Sequence, residues 1–211
     1  MEIEYKLRSA ILPLIIITAA VFFMQILLKG FTESFLLDSS SIFSRPWILV
    51  THIFLHGSPY HLFFNMWGLF MFGALVEQKI GPNRFLALYI LSGAASGFLA
   101  SFFYAKSLGA SGAIMALIGV LIILMPNLQL LFFYIVPTPL WIAGIIYALI
   151  DLIGVAFPSG IGNIAHLSGM GIGLLYGVYL KQRKTSFQKK FSRKKHLDDV
   201  DVDEYLRSGR I

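Results

Sequence analysis

Two long stretches of the chain carry no charged side chain, and they limit its possible folds more than any other feature. One runs from Ser9 to Leu28, and the other fills every position between Lys106 and Asp151. An uncharged apolar run of about 18 residues or more can cross a bilayer as a helix. In hydrocarbon the backbone must satisfy its own hydrogen bonds, so the spans are expected to be helical. A very hydrophobic soluble core is the alternative, but these segments lack the polar faces that it would need.

The composition agrees with a membrane protein and excludes several other classes. Only 13% of the 211 residues are charged, whereas soluble domains carry about a quarter. The absence of cysteine excludes a disulfide framework, a thiolate metal site and a cysteine nucleophile. The net charge of +6 could indicate nucleic-acid binding. The basic residues flank the apolar spans, however, as topology signals do, so no nucleic-acid partner is expected.

Proline, glycine and polar residues break the apolar sequence into six predicted helices. The predicted fold class is therefore all-α, a polytopic bundle of six transmembrane helices with a long interfacial loop between helices 1 and 2. The helices are expected at about residues 9–28, 60–76, 85–104, 111–125, 140–157 and 164–180. A short N-terminus at 1–8 precedes this membrane domain at 9–180, and a basic, then acidic, tail follows at 181–211.

The distribution of basic residues predicts the orientation. Six spans put both termini on one side, and that side then holds twelve Lys or Arg residues up to residue 195, against three on the other. The excess predicts cytoplasmic termini. The first span is longer than a signal-peptide core and has no evident cleavage site before Lys29, so we expect it to be retained. The lack of added domains and of a seventh span favours a minimal prokaryotic form in the cell membrane.

Four polar residues are expected at one depth, near the outer ends of the helices. Ser111 opens the fourth helix, His166 lies in the first turn of the sixth, and His61 and Asn65 lie in the first turns of the second. Polar residues within spans are costly and usually mark function. Ser58, Ser107, Asn163 and Ser168 are expected to line a water-filled depression around them.

Ser111 is a candidate nucleophile because glycines flank it where a loop enters a helix. Gly109 and Gly112 let backbone approach closely and expose the hydroxyl. The amides of a helix N-terminus favour a developing oxyanion. The alternative is that Ser111 is only an N-cap, a common role for serine, and this string by itself favours the cap.

Small residues on two helices predict how Ser111 could meet His166. Ala165, Gly169, Gly173 and Gly177 recur every four residues on the sixth helix, and a shorter strip of Gly112, Ala116 and Gly119 lies on the fourth. Small faces let helices approach closely. Packing the two strips together would bring the serine and histidine within hydrogen-bond reach.

These motifs together resemble the rhomboid family of intramembrane serine proteases. The matching pieces are residues 109–112 (GASG), 165–169 (AHLSG) with Gly173, and 61–66 (HLFFNM). They occur in order and on the same predicted membrane side. The resemblance covers roughly residues 45–180. This range includes predicted helices 2 to 6 and begins within the long loop that precedes them.

The resemblance implies a role for each matching residue. Ser111 is the expected nucleophile and His166 the general base, while His61, Asn65 and the Ser111 amide are the expected oxyanion donors. Supporting positions are expected at Gly109, Gly112, Gly169, Gly173 and Met115. Relatives commonly have an aromatic residue at the position of Met115, where it packs on the catalytic histidine. The family uses a Ser–His dyad, and no carboxylate is expected near the site; Asp151 is interpreted as a structural hydrogen-bonding residue.

The implied substrates are transmembrane segments of other proteins, cut near the outer membrane face. No cofactor and no metal are expected. His52 and His56 have the spacing of a zinc pair but lack the glutamate and further ligands of a zinc protease, and His56 is expected to support the outer loop by hydrogen bonding.

The alternatives are a non-catalytic relative that escorts membrane proteins and, less favoured, a small transporter. The oligomeric state is left open.

Overall fold

The computed structural model describes residues 9–132, 135–157 and 160–191, together with Val200. Most of these residues are helical. The α-helices are α1 (Ile11–Leu27), α2 (Phe31–Phe35), α3 (Ile48–Thr51), α4 (Pro59–Gly68), α5 (Ala74–Ile80), α6 (Pro82–Ala100), α7 (Ser111–Leu124), α8 (Leu140–Ala156) and α9 (Asn163–Phe191). The predicted N-terminus at 1–8 and, apart from Val200, the acidic part of the tail lie outside the described residues.

The bounds of α1, α7 and α8 lie within two residues of the predicted ones, but two other predictions need correction. The interval at 77–84 that separates the second and third predicted helices shrinks to Gly81, whose φ of 79° reverses the chain before Pro82 begins α6. Glycine adopts this left-handed backbone conformation at little cost, which permits so short a turn. The last helix does not end at residue 180 but continues to Phe191.

The fold is not purely helical. Strands β1 (Leu37–Asp38) and β2 (Lys106–Ser107) pair antiparallel, as do β3 (Gln129–Phe132) and β4 (Val136–Pro139). The second pair occupies the break predicted between the fourth and fifth helices. Its prolines cannot donate to a helix, and the residue before a proline is biased toward extended backbone, so this segment favours a strand.

The sequence predicts six membrane spans. Among residues 9–132, 135–157 and 160–191, no single helix is both long enough and apolar enough to cross a membrane. The count of six spans therefore stays a prediction.

Helix α7 lies at the centre of the bundle. Its residues from Gly112 to Leu121 are all buried, as expected for a helix that is apolar on every side. The outward faces of α1 and α8 are apolar as well, with Ile26 65% and Ile153 62% exposed. The polar site can therefore lie only where the ends of α7 and its neighbours meet the connecting loops.

Glycines bring α7 and α9 into backbone contact. A Cβ atom on Gly169 would collide with the carbonyl oxygen of Gly112, and one on Gly173 with that of Ala116. From the other side, a Cβ on Gly119 would collide with the carbonyl oxygen of Met170. The predicted packing of the two small-residue strips is confirmed, and it sets the position of the first residues of both helices relative to each other.

Glu77 joins the start of α1 to the last helical turn of α5. Its Oε1 accepts a hydrogen bond from the Ala10 amide at 2.6 Å, and its Oε2 accepts one from the Ser9 hydroxyl at 2.7 Å. Between α4 and α5, residues Leu69–Gly73 form a π-helical segment, so the chain is helical from Pro59 to Ile80. One helical rod thus connects the end of the bundle that holds Glu77 to the opposite end, where α4, α7 and α9 begin.

Replacing Gly173 with alanine is expected to lower the free energy of unfolding by about 1–3 kcal/mol, because the added methyl group overpacks a backbone contact. Gly171 is a matched control two residues away on the same helix, where nothing lies within 4 Å of a Cβ. Gly171→Ala should raise stability by about 0.5–1 kcal/mol through helix propensity. Reversible unfolding in detergent micelles measures both, and equal effects of the two substitutions would contradict the described packing.

Candidate active site

Ser111 is the first residue of α7, and its side chain does not cap the helix. The preceding residue, Ala110, occupies the cap position in helical conformation without a side-chain cap bond. The Ser111 Oγ instead lies 2.9 Å from the Nε2 of His166. The interpretation of Ser111 as a simple N-cap is therefore wrong.

His166 lies in the first turn of α9, where its amide donates a hydrogen bond to the Gly162 carbonyl at 3.1 Å. Its second ring nitrogen, Nδ1, lies 2.9 Å from the Oδ1 of Asp151 on α8. Asp151 is only 5% exposed. The expectation that no carboxylate lies near the site is therefore wrong, and one histidine connects a hydroxyl on one side to a carboxylate on the other.

His61 and Asn65 occupy successive turns of α4. Ser58 caps this helix, its hydroxyl accepting a hydrogen bond from the His61 amide at 3.1 Å. The Gly57 amide donates to the Nδ1 of His61 at 3.4 Å. In a neutral ring the proton is then on Nε2, which can act as a donor. The Asn65 Nδ2 donates one hydrogen to the His61 carbonyl at 2.8 Å, which leaves its second hydrogen for another acceptor.

Gly109 lets the segment before Ser111 pass close to the His61 ring. Its φ is 122°, in a region that side chains rarely adopt, and a Cβ there would lie 2.7 Å from the His61 Cε1. The Gly109 amide donates to the His52 carbonyl at 2.9 Å, which holds the segment in place. Glycine at this position is therefore required both by the backbone conformation and by the neighbouring ring.

His52 has a supporting role that the sequence analysis missed. Its Nδ1 donates to the Ile48 carbonyl at 2.9 Å, and its ring fills the space where a side chain at Gly97 would be. Burial lowers the pKa of His52 to about 4, so the ring is neutral at pH 7. In the sequence, His52 is marked only by its polarity inside an apolar segment. Its spacing from His56 suggests a zinc pair and not a supporting role.

His56 supports the loop through its main chain rather than its ring. Its amide donates to the Oε1 of Gln25 at 3.0 Å, and its carbonyl accepts from the Nε2 of Gln25 at 3.3 Å. Within the described residues neither ring nitrogen has a hydrogen-bond partner. The ring packs edge-on against His61 with a centroid separation of 5.0 Å. The expected support by hydrogen bonding is therefore present, and the main chain of His56 provides it.

The long loop between α1 and α4 is also tied to the segment that leads to Ser111. Leu37 pairs with Ser107, and Asp38 pairs with Lys106. Hydrogen bonds from the Ser40 hydroxyl and amide lower the pKa of Asp38, so its carboxylate stays charged beside Lys106. The loop and the nucleophile segment therefore hold one another in position.

A cavity of about 690 Å³ opens onto these groups. Its lining combines the four predicted polar residues with glycines and loop residues. The lining residues are His52, Gly57, His61, Asn65, Ser96, Gly97, Tyr104, Lys106, Ser107, Leu108, Gly109, Ser111, Gly112, Gly160, Ile161, Gly162, Ala165 and His166. Ser107 lines it as expected. Ser58, Asn163 and Ser168 do not, since Ser58 caps α4 and Ser168 bonds to the backbone of its own helix.

The arrangement suits acyl transfer. A serine hydroxyl next to an imidazole nitrogen is a nucleophile with its base in contact. Donors from α4 and the free amides at the start of α7 line the same cavity, where a negatively charged oxygen would be stabilised. Met115 is buried within α7 and Gly112 contacts α9, so both belong to the packing behind the serine.

The chain is similar to proteins of one known family. A family model described as Rhomboid domain matches residues 44–183. Mitochondrial rhomboid protein 1 of Saccharomyces cerevisiae is 31% identical over 199 residues, covering 86% of this chain and 57% of the yeast protein. Rhomboid protease GlpG of Haemophilus influenzae is 29% identical over 147 residues, covering 69% of this chain and 76% of that protein. The chain thus spans little more than half of the yeast relative's length.

Gly109→Ala is expected to slow the reaction of Ser111 with a fluorophosphonate probe by about 10-fold or more, because the new methyl group displaces the His61 ring and strains the backbone before the nucleophile. Gly57→Ala is the control, since a Cβ there meets only Leu108 at 3.8 Å. Labelling rates in detergent measure both. Equal rates for the Gly109→Ala variant and the unaltered protein would show that this close approach does not matter.

Proposed function

Because the chain belongs to the rhomboid family, we propose that it is an intramembrane serine endopeptidase that cleaves transmembrane segments of other membrane proteins. Rhomboid family proteins are integral membrane proteins. The observation that carries the proposal is the 2.9 Å contact between the Ser111 Oγ and the His166 Nε2 at the wall of a cavity. A relative without catalytic activity would have no need of this pair.

The proposed reaction proceeds through an acyl-enzyme. The Ser111 oxygen attacks the substrate carbonyl carbon while its proton passes to the Nε2 of His166. The tetrahedral intermediate then collapses, the peptide C–N bond breaks, and His166 returns the proton to the leaving amine. A water molecule then attacks the ester carbonyl while its proton passes to the same nitrogen. The ester C–O bond breaks, His166 gives the proton back to the Ser111 oxygen, and the new carboxyl end is released. Each step uses only groups that line the cavity.

The negative charge on the intermediate needs donors. The Ser111 amide is one, because the first amides of a helix have no intrahelical partner. The His61 Nε2 and the free hydrogen of the Asn65 amide are the others, and both residues line the cavity. They project from one face of α4, since residues four apart in a helix are neighbours.

We further propose that the chain crosses the membrane six times, with both termini in the cytoplasm of a prokaryotic cell. The apolar outer faces of α1 and α8 support this arrangement, because they would otherwise meet water. The cavity then opens toward the outer face. A substrate helix must unwind locally there, since a closed helix keeps its carbonyl groups within its own hydrogen bonds.

Ser111→Ala and His166→Ala are expected to abolish cleavage of a single-span model substrate, with rates at least about 1,000-fold lower. Ser107→Ala is the matched control, since it removes a hydroxyl from the same cavity wall without touching the pair. Product formation on gels, with purified protein in detergent, measures all three. Cleavage at an unchanged rate in Ser111→Ala would exclude the proposed nucleophile.

The same preparations separate the protease from a transporter. In proteoliposomes, the protease should release substrate fragments without moving solutes across the bilayer. Solute flux without cleavage would assign the cavity to transport instead.

His61→Ala and Asn65→Ala are each expected to lower kcat by about 100- to 1,000-fold with little change in KM, because each removes a donor that acts mainly on the intermediate. Initial rates against substrate concentration give both constants. A rise in KM at constant kcat would instead assign the residue to ground-state binding.

A further inference from the structure

Asp151 is a buried acidic residue for which a Ser–His mechanism has no use. It lies on α8, whose other residues are mostly apolar, and is 5% exposed. A carboxylate in such surroundings is costly unless it is paired and hydrogen-bonded. Its Oδ1 lies 2.9 Å from the His166 Nδ1, on the side of the ring that faces away from Ser111.

We propose that Asp151 is a positioning residue that orients His166, so that the centre works as a Ser–His–Asp triad. This inference rests on the proposed proteolytic function and adds to it a third residue. Asp151 acts through the histidine and does not itself touch the substrate.

Asp151 determines which ring nitrogen of His166 carries the proton. A carboxylate can only accept hydrogen bonds, so the Nδ1 beside Asp151 carries the hydrogen. In the neutral ring the lone pair is then on Nε2, directed at the Ser111 hydroxyl. This is the tautomer that can remove the serine proton. Without the carboxylate, the ring is free to adopt the other tautomer, in which Nε2 is a donor and cannot act as base.

Asp151 also stabilises the positive charge that forms on His166 during the reaction. When Ser111 attacks, its proton moves to His166, and the ring becomes an imidazolium cation. The Asp151 carboxylate lies next to this new charge, and their attraction is stronger than in bulk water because the Asp151 side chain is 7% exposed and that of His166 19%. The proton stays on the histidine throughout, and the carboxylate remains ionised. The stabilisation is therefore greater in the transition state than in the resting enzyme, which is the condition for a higher rate.

A second contact fixes the spacing of α8 and α9. A Cβ on Gly154 would lie 2.5 Å from the Nδ2 of Asn163, so α8 and the start of α9 touch there. Gly154 lies three residues after Asp151, and Asn163 lies three residues before His166. Residues three apart share a helix face. The contact therefore lies one turn away from the carboxylate–imidazole pair and holds it at hydrogen-bonding distance.

The test is Asp151→Asn, which keeps the shape of the side chain and removes its charge. The expected result is a kcat at least about 100-fold lower with KM changed less than about threefold, and fluorophosphonate labelling of Ser111 slowed in proportion. Asp151→Glu, which retains a carboxylate, should recover at least about tenfold of the lost kcat. Thr18→Val is the control, since it removes a buried hydrogen bond to the Leu14 carbonyl at a residue that does not line the cavity, and it should leave kcat unchanged.

Rates are normalised to the folded fraction, measured by size exclusion and thermal unfolding. Should Asp151→Asn fail to fold, Gly154→Ala tests the same inference with the carboxylate retained. Its methyl group displaces the Asn163 side chain from the contact one turn away, which should lower kcat at least about tenfold at constant KM. A kcat within about threefold of wild type in folded Asp151→Asn, or in Gly154→Ala, would overturn the inference. An equal loss in Asp151→Asn and Asp151→Glu would assign the residue to packing.

The outcome is separable from that of the proposed function. If Ser111→Ala abolishes cleavage and Asp151→Asn does not, only the triad fails. If Ser111→Ala still cleaves, the nucleophile itself is wrong, whatever Asp151→Asn does.

Discussion

The backbone contact between α7 and α9 is the interaction on which the rest of the site depends. Gly169 and Gly173 lie so close to the carbonyl groups of Gly112 and Ala116 that no side chain fits between them. Dispersion attraction over such a close contact needs no polar group and works in lipid as well as in water. It also sets a hydroxyl from one helix against an imidazole from the other. The catalytic geometry is therefore a consequence of helix packing.

How much of this could be predicted from the sequence differs between residues, for physical reasons. The pairing of Ser111 with His166 was predictable because each lies near a helix start, and the small residues that join the helices recur every four positions. Asp151 lies near its predicted position in the helix, but its contact with His166 was not predicted. It lies five residues from the end of α8, or about 7.5 Å, while His166 lies about 4.5 Å from the start of α9. The difference between these two depths is within the reach of two side chains, but the sequence does not give the distance between the two helices.

Other features depended on contacts between distant segments. His52 meets Gly97, and Leu37 pairs with Ser107, across separations at which a single sequence carries no signal. The polarity of His52 marks it in the sequence, but its neighbours do not distinguish a metal ligand from a residue that supports the packing. The support that His56 gives the loop was predicted, but the sequence does not show that its main chain makes the hydrogen bonds to Gln25.

The π-helical segment at Leu69–Gly73 has a consequence for the length of the chain. The rod from Pro59 to Ile80 carries His61 and Asn65 at one end and Glu77 at the other, and each end must face a different neighbour. A π-turn holds one residue more than the regular helix would. Removing or adding a single residue there turns one end relative to the other by about 100°. Either the donors would leave the cavity or Glu77 would leave α1, so the number of residues between them is as constrained as their identity.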